Sequence, residues 1–309
     1  MTDQDRNTYA LNEYLDEMRT NPKDIDETQD YFTTKSGDEL FYRRWTGDNT
    51  RKIVIGLHGM AAHSEYFIQV ADQLIESEIT LYALDLKHHG YSTGKKGDLK
   101  SFEEIASHLY EFISYVRKDH PHTPIFLMGI SMGGIISINY SVRYPDSVEG
   151  LILMAPGVKS EFKLSLGDIL KLPLLIFIYI VKKSAIVINV GERSERGTRN
   201  PLRIEYQNND ELRIQKVSPR YLIGLLKQKK KAFENASNIS HPVLIMIGTE
   251  DKIVSVEGVE EFYDLLTVED KTLIKLPGAY HSLFSDPAMH EEKGWTRLME
   301  WVEKRGWVS

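Results

Sequence analysis

The sequence predicts an α/β fold: a mostly parallel central sheet with helices on both faces and an inserted helical cap. Three observations predict it. Apolar runs of strand length alternate with amphipathic helical stretches along most of the 309 residues, the pattern of a sheet buried on both sides. One of these runs, Ile125 to Met128, leads directly into Gly129-Ile130-Ser131-Met132-Gly133 and then into a long apolar segment closing at Tyr144-Pro145. The regular alternation breaks for about eighty residues, from Val158 to Asn238, and then resumes.

Taken in order, Tyr9 to Met18 predict a short helix in an N-terminal appendage (1–28), stopped by Asn21-Pro22. Tyr31–Thr34 and Leu40–Trp45 flank Ser36-Gly37-Asp38 as an antiparallel hairpin. Lys52–Leu57 is a buried strand that delivers His58-Gly59-Met60 to a loop. Ser64 is placed to cap a helix whose Phe67, Val70, Ala71 and Leu74 share one face. Ile79–Leu84 is the next strand. Ser101 and Glu104 form a capping box for a helix burying Ile105, Leu109, Phe112, Ile113 and Val116, stopped by His120-Pro121. Beyond the Gly-x-Ser-x-Gly turn come a strand at Val148–Met154, the irregular block, and a strand at Pro242–Gly248. A helix then carries Val259, Phe262, Tyr263 and Leu266, and the last strand is Thr272–Leu276. Asp286-Pro287 opens a closing helix with Trp295, Leu298, Met299 and Val302 inward. The expected organisation is a core of 1–157 and 239–309 with a cap of 158–238 inserted after a strand's carboxyl end, where such sheets carry their ligand sites.

Composition narrows the function. A net charge of −7 opposes a nucleic-acid surface, which needs clustered Lys and Arg. With no cysteine there is no disulfide, no thiolate metal site and no Cys nucleophile. Met1 to Asp30 is strongly charged and lacks the apolar stretch of a signal peptide, so a cytoplasmic location is expected.

Strand, sharp turn and helix are the context that makes Gly-x-Ser-x-Gly a nucleophile elbow with Ser131 at its tip. A serine hydroxyl needs a base, and the base needs a carboxylate to fix its tautomer. Two later strand exits supply them: Gly248-Thr249-Glu250-Asp251 and Pro277-Gly278-Ala279-Tyr280-His281. The chain order Ser131, Asp251, His281 is that of this architecture, with the neighbouring Glu250 and the distant His58 as competitors for the acid and base roles. The oxyanion donors expected are the amides of Met132, after the nucleophile, and Met60, in the loop after an earlier strand. Asp85, His88 and His89 could suggest a metal, but adjacent residues on an extended segment point opposite ways and no further ligand completes the set. A rigid loop bracing the site is expected there, and neither metal nor cofactor. His120 and His122 flank a proline turn and are expected in solvent, and Lys229-Lys230-Lys231 reads as a solvated helix face.

These motifs resemble the α/β-hydrolase superfamily, and within it the monoacylglycerol lipase / lysophospholipase group of serine hydrolases. His58-Gly59-Met60-Ala61-Ala62-His63-Ser64 looks like that group's oxyanion loop. Asp85-x-x-x-His89-Gly90-x-Ser92, followed by Gly94, Gly97 and Phe102, looks like its Asp-x-x-Gly-His-Gly-x-Ser segment, with His88 where the group usually has glycine. A second departure is Ala279-Tyr280 before His281, where a small residue often precedes the histidine. The resemblance implies an α/β-hydrolase fold and ester hydrolysis through an acyl-enzyme, with activity falling as the His281 imidazole takes up a proton. It runs from about Asp38 to Trp301 and is weak in the insertion.

The insertion bears on substrate. Leu172 to Val181 is ten residues without a charge, half of the ~20 a membrane span needs. Extension to Val190 brings Lys182 and Lys183 near the middle, at about 2.5–3.5 kcal/mol each. The segment therefore packs as the cap's core or lines an acyl channel that touches lipid surfaces, with peripheral membrane contact. A glyceride or similar acyl ester is the expected substrate. Alternatives on the same scaffold are an aminopeptidase (using cap carboxylates such as Glu205, Asp210 or Glu211), a thioesterase or an acyltransferase. A noncatalytic ligand receptor is a further alternative.

Overall fold

A computed structural model describes residues 26–46, 49–75, 77–161, 173, 177–190 and 194–306. The N-terminal helix expected at Tyr9–Met18 and part of the apolar run Leu172–Val181 lie outside them.

Eight strands form one sheet: β1 (Asp26–Thr33), β2 (Glu39–Thr46), β3 (Lys52–Leu57), β4 (Ile79–Leu84), β5 (Ile125–Ile130), β6 (Gly150–Met154), β9 (Val243–Gly248) and β10 (Lys271–Leu276), in the spatial order β1-β2-β4-β3-β5-β6-β9-β10. The β1–β2 and β2–β4 pairings are antiparallel and all others parallel. Strands β3, β4, β5, β6 and β9 are buried almost throughout because helices cover both faces, which is why their sequences are continuous apolar runs rather than alternating ones. Those helices are α1 (Ile68–Ile75), α2 (Phe102–Asp119), α3 (Met132–Arg143), α6 (Val256–Leu265) and α7 (Gly294–Glu303). The stripe predicted for α2 is buried, as are Phe67, Val70, Ala71 and Leu74 beside and along α1.

Several expectations shift. The hairpin starts at Asp26 rather than Tyr31, because Glu27 reaches across the edge to Arg43 Nη1 at 2.6 Å and Trp45 Nε1 at 3.1 Å. Ser64 caps nothing with its side chain. It opens a short 3-10 turn before α1, and its amide donates to Asp85 Oδ1 at 2.6 Å. Ser101 does cap α2, accepting from the Glu103 amide, but Glu104 turns away to Lys87 at 2.7 Å instead of closing a box. The closing helix is interrupted at Lys293, which takes a left-handed conformation (φ 54°) before α7 begins.

Within 158–238 the described residues include a two-stranded ribbon of β7 (Ile188–Asn189) and β8 (Lys216–Val217), and the helices α4 (Pro201–Asn209) and α5 (Pro219–Glu234). Asn200 and Ser218 cap these helices, each followed by proline in the first turn. Helix α5 lies on α3, where Asn139 Nδ2 donates to the Gln228 carbonyl at 2.9 Å. Asp98 binds both Ser218 and Arg220 at the start of α5. Of the lysine run, Lys230 and Lys231 are solvated as expected, but Lys229 is half-buried and donates to Ser160 Oγ at 2.5 Å. His122 is exposed, whereas His120 is half-buried against the Tyr82 hydroxyl at 3.3 Å.

Candidate active site

The carboxyl ends of β3, β5, β6, β9 and β10 lie along one edge of the sheet, and every predicted site residue sits just beyond one of them. Strand β5 ends at Ile130, and α3 begins at Met132. Ser131 between them has φ 52° and ψ −108°, a strained backbone costing about 1–3 kcal/mol for a residue with a Cβ. Three bonds hold it: its amide donates to the Met154 carbonyl at 3.0 Å, and its carbonyl accepts from Ile135 at 3.2 Å and Gly157 at 3.0 Å. The flanking glycines are sterically required. A Cβ on Gly129 would lie 2.4 Å from the Gly133 carbonyl oxygen, and one on Gly133 would lie 2.1 Å from that of Leu57.

Of the two adjacent acids after β9, Glu250 is exposed and Asp251 is buried. Asp251 Oδ1 accepts from the amides of Ile253 and Val254, both at 2.8 Å, and Oδ2 accepts from His281 Nδ1 at 2.7 Å. That bond leaves Nε2 as the open ring nitrogen of His281. The loop after β10 is anchored by Tyr280 N–H to Asp286 Oδ2 (2.9 Å) and Ser282 N–H to the Gly197 carbonyl (2.7 Å). Ser131 and His281 line one cavity without a direct hydrogen bond between them, a separation common before substrate binds.

The loop after β3 contributes Met60 to the same cavity. A Cβ on Gly59 would stand 3.6 Å from Ser131 Cβ, an ordinary contact, so this glycine is not forced by sterics as the pair around Ser131 is. Met132 is the first residue of α3, where amides have no intrahelical acceptor. Its sulfur accepts from the Tyr221 hydroxyl at 3.1 Å.

His58, the competitor for the base, is wholly buried beneath this loop. Its Nε2 accepts from the Leu86 amide at 3.0 Å, so Nδ1–H donates to the Gly59 carbonyl at 2.8 Å. Burial lowers its pKa to about 3, leaving no basic nitrogen for Ser131. His89 is likewise buried and lowered to about 3, between the Met60 carbonyl (3.2 Å) and the Tyr221 hydroxyl (3.1 Å). Asp85 spends its oxygens on the amides of Ser64 and Tyr91, at 2.6 and 2.9 Å. The segment is thus a hydrogen-bonded brace. His88, standing where glycine is usual, keeps a left-handed backbone (φ 70°), stabilised by Nδ1 against the Lys95 carbonyl at 3.1 Å. A separate group of Asp38, Glu104 and His108 has metal-like spacing, but the Lys87 ammonium sits within 2.7 Å of both carboxylates.

The cavity is about 160 Å³. Its apolar lining includes Ile130, Met154, Val190, Ile253, Leu283 and Phe284, and its polar lining includes Tyr66, Arg203, Gln207 and Arg213. None of these last four was legible from motif or periodicity: Tyr66 lies in the short turn before α1, and α4 and the loop after it, which supply the other three, lack a recognisable stripe. Tyr221, buried where α5 meets Met132 and His89, was missed for the same reason.

A family profile described as "Serine aminopeptidase, S33" matches residues 48–288. A monoacylglycerol lipase of Mycolicibacterium smegmatis is 28% identical over 83% of this chain and 90% of its own length. The crystal structure of a Paleococcus ferrophilus monoacylglycerol lipase superposes with a TM-score of 0.73 at 28% identity, covering 85% of this chain and 98% of the other. A soluble variant of a Saccharomyces cerevisiae monoglyceride lipase, in complex with a substrate analog, shares the fold at a TM-score of 0.80 and 19% identity over 94% and 98% of the two chains. The sheet order, the strained elbow and the extent of these matches make this chain a member of the S33 family of α/β-hydrolases, similar to its monoacylglycerol lipases.

Proposed function

We propose that this chain is a serine carboxylic-ester hydrolase of the monoacylglycerol lipase kind, acting on glycerides or similar acyl esters. The observation that carries the reading is the strained Ser131 facing one cavity with His281, whose other ring nitrogen is bound to buried Asp251 at 2.7 Å. Ser131 attacks the ester carbonyl as His281 Nε2 takes its proton, and Asp251 steadies the imidazolium. The amides of Met60 and Met132 hold the tetrahedral oxyanion, each contributing about 3 kcal/mol to the transition state. His281 returns the proton to the leaving alcohol. Water, deprotonated by the same ring, then releases the acid.

An aminopeptidase needs a free carboxylate to hold the substrate's amine. The cap acid Asp210 lies beside the cavity-lining Tyr66, and it is already engaged by His63 Nε2 and the Tyr66 hydroxyl, each at 2.9 Å. Arg203 and Arg213 in the same lining repel an ammonium group. The segment 158–238 acts as the cap, and its helical residues 177–182 are where it meets lipid. Phe177, Ile180 and Val181 are 62%, 75% and 65% exposed there, followed by Lys182 and Lys183. Turnover of a 1-monoacylglycerol and of p-nitrophenyl esters, without turnover of aminoacyl-naphthylamides, is expected. Hydrolysis of the naphthylamides alone would overturn the ester reading.

A further inference from the structure

Helix α5 reaches the proposed oxyanion donors through one hydroxyl. Tyr221, in its first turn, is wholly buried. Its O–H donates to Met132 Sδ at 3.1 Å, and its oxygen lies 3.1 Å from His89 Nε2. The same Nε2 is 3.2 Å from the Met60 carbonyl, while the other ring nitrogen, Nδ1, is 3.1 Å from the Lys87 carbonyl. Burial keeps this ring neutral, so it carries one hydrogen and satisfies only one of the two carbonyls. Tyr221 is itself firmly anchored. Its amide donates to Ser218 Oγ at 3.2 Å, and Asp98 Oδ1 holds Ser218 Oγ and Arg220 Nε at 2.7 and 2.6 Å. Its ring meets Phe102 edge-on, with centres 5.8 Å apart.

Which nitrogen of a neutral histidine bears the hydrogen is set by what faces the other. With the Tyr221 hydrogen committed to sulfur, its oxygen presents lone pairs to Nε2, and a hydrogen on that nitrogen serves Tyr221 and the Met60 carbonyl together. We infer that Tyr221 is a positioning residue for ester hydrolysis: it holds His89 in the Nε2–H form, which pins the Met60 carbonyl and with it the loop that carries the Met60 amide. Without the hydroxyl, the Lys87 carbonyl draws the hydrogen to Nδ1 and the Met60 carbonyl loses its partner. The peptide before Met60 is held separately, its Gly59 carbonyl accepting from His58 Nδ1 at 2.8 Å and from the Ala62 amide at 3.2 Å. A trans peptide points its N–H opposite to its C=O, so these two bonds aim the Met60 amide and the His89 bond fixes the next peptide along. Oxyanion stabilisation depends on that aim, because the donors must already stand where charge develops. The inference rests on the ester-hydrolase reading above, in which the Met60 amide is such a donor.

Tautomer and turnover are read separately. Long-range proton–nitrogen NMR of protein labelled with 15N-histidine, His89 being assigned by the signal lost in His89→Gln, is expected to show the hydrogen on Nε2 in wild type and on Nδ1 in Tyr221→Phe. A hydrogen on Nδ1 in wild type, or no change in the variant, overturns the role. In p-nitrophenyl butyrate kinetics Tyr221→Phe is expected to lower kcat by about tenfold or more, with KM changed by less than about twofold. Affinity for a trifluoromethyl ketone, whose adduct with the nucleophile carries the oxyanion, should fall by the same factor; unchanged affinity contradicts a route through the oxyanion donors. His89→Gln supplies the rescue, since the introduced amide offers an N–H near the place of Nε2–H and has no tautomer to lose. In that background Tyr221→Phe should cost less than about threefold in kcat, and the full loss there would reduce Tyr221 to a packing residue. A wild type that turns over no ester would sink the hydrolase reading, while NMR would still decide whether Tyr221 sets the form of His89; ester turnover with an unchanged tautomer would do the reverse.

Discussion

Acid should weaken this fold through two buried histidines. His58 and His89 stack 4.8 Å apart between their ring centres, both wholly enclosed, with pKa values lowered by burial from 6.5 to about 3. Unfolded, each binds a proton below about 6.5, while the folded protein keeps both neutral until close to pH 3. A depressed histidine therefore contributes stability that is present above the unfolded value and is lost as pH falls from there toward the folded one. At pH 5 each ring sits about 1.5 units below its unfolded value, which corresponds to about 2 kcal/mol, or about 4 kcal/mol for the pair. The loss is concentrated under the oxyanion loop, because His58 accepts from Leu86 through the nitrogen that would be protonated. Urea unfolding followed by the fluorescence of the four tryptophans, at pH 7.5 and pH 5.0, measures it. His89→Gln, which keeps a polar group at that position, should shrink the pH-dependent loss by about 2 kcal/mol relative to wild type. A variant that loses as much stability between the two pH values as wild type does would refute the neutral, buried state of His89.

Other outcomes follow from single contacts. Asp251→Asn should leave Ser131 in place but lower kcat by about 10⁴-fold with little change in KM, because the Nδ1–H donor of His281 loses its acceptor; steady-state ester kinetics check this. Gly133→Ala forces a Cβ to within 2.1 Å of the Leu57 carbonyl oxygen, so the elbow must move, and both activity and the thermal midpoint should drop together. Lys52, buried within β3, donates to the last carbonyls of α7 at Val302 (2.7 Å) and Glu303 (2.6 Å). Lys52→Met strands those acceptors and should cost about 1–3 kcal/mol in urea unfolding, with ester kcat unchanged.

What could be read ahead of the structure was whatever repeats with a period or is stated by a short motif. Strands β3 to β6 and β9 are predominantly apolar runs, and the stripes of α1 and α2 fall at helical spacing, so burial follows directly from pattern. The elbow was legible because its glycines answer to backbone atoms only a few residues away or on the adjoining strand. Features set by distant partners were not. The polar strand β1 exists because Glu27 meets Arg43 and Trp45, and no periodicity announces that. Ser64 and Glu104 carry the right residue types for helix caps, yet Asp85 and Lys87 recruit them for the loop beside the cavity. Lys52 looks like an intrusion in an apolar strand until α7 ends on top of it. Arg213 and Tyr221 come from the weakly patterned insertion, where position relative to the cavity depends on how the segment 158–238 sits against the sheet.

The central claim is that one hydroxyl, on a strained turn, is the nucleophile. A fluorophosphonate probe followed by peptide mass spectrometry tests it most directly. The expected result is a single stoichiometric adduct on Ser131, with labelling and p-nitrophenyl ester turnover both abolished in Ser131→Ala. An adduct on another serine, or turnover that survives the substitution, would contradict it.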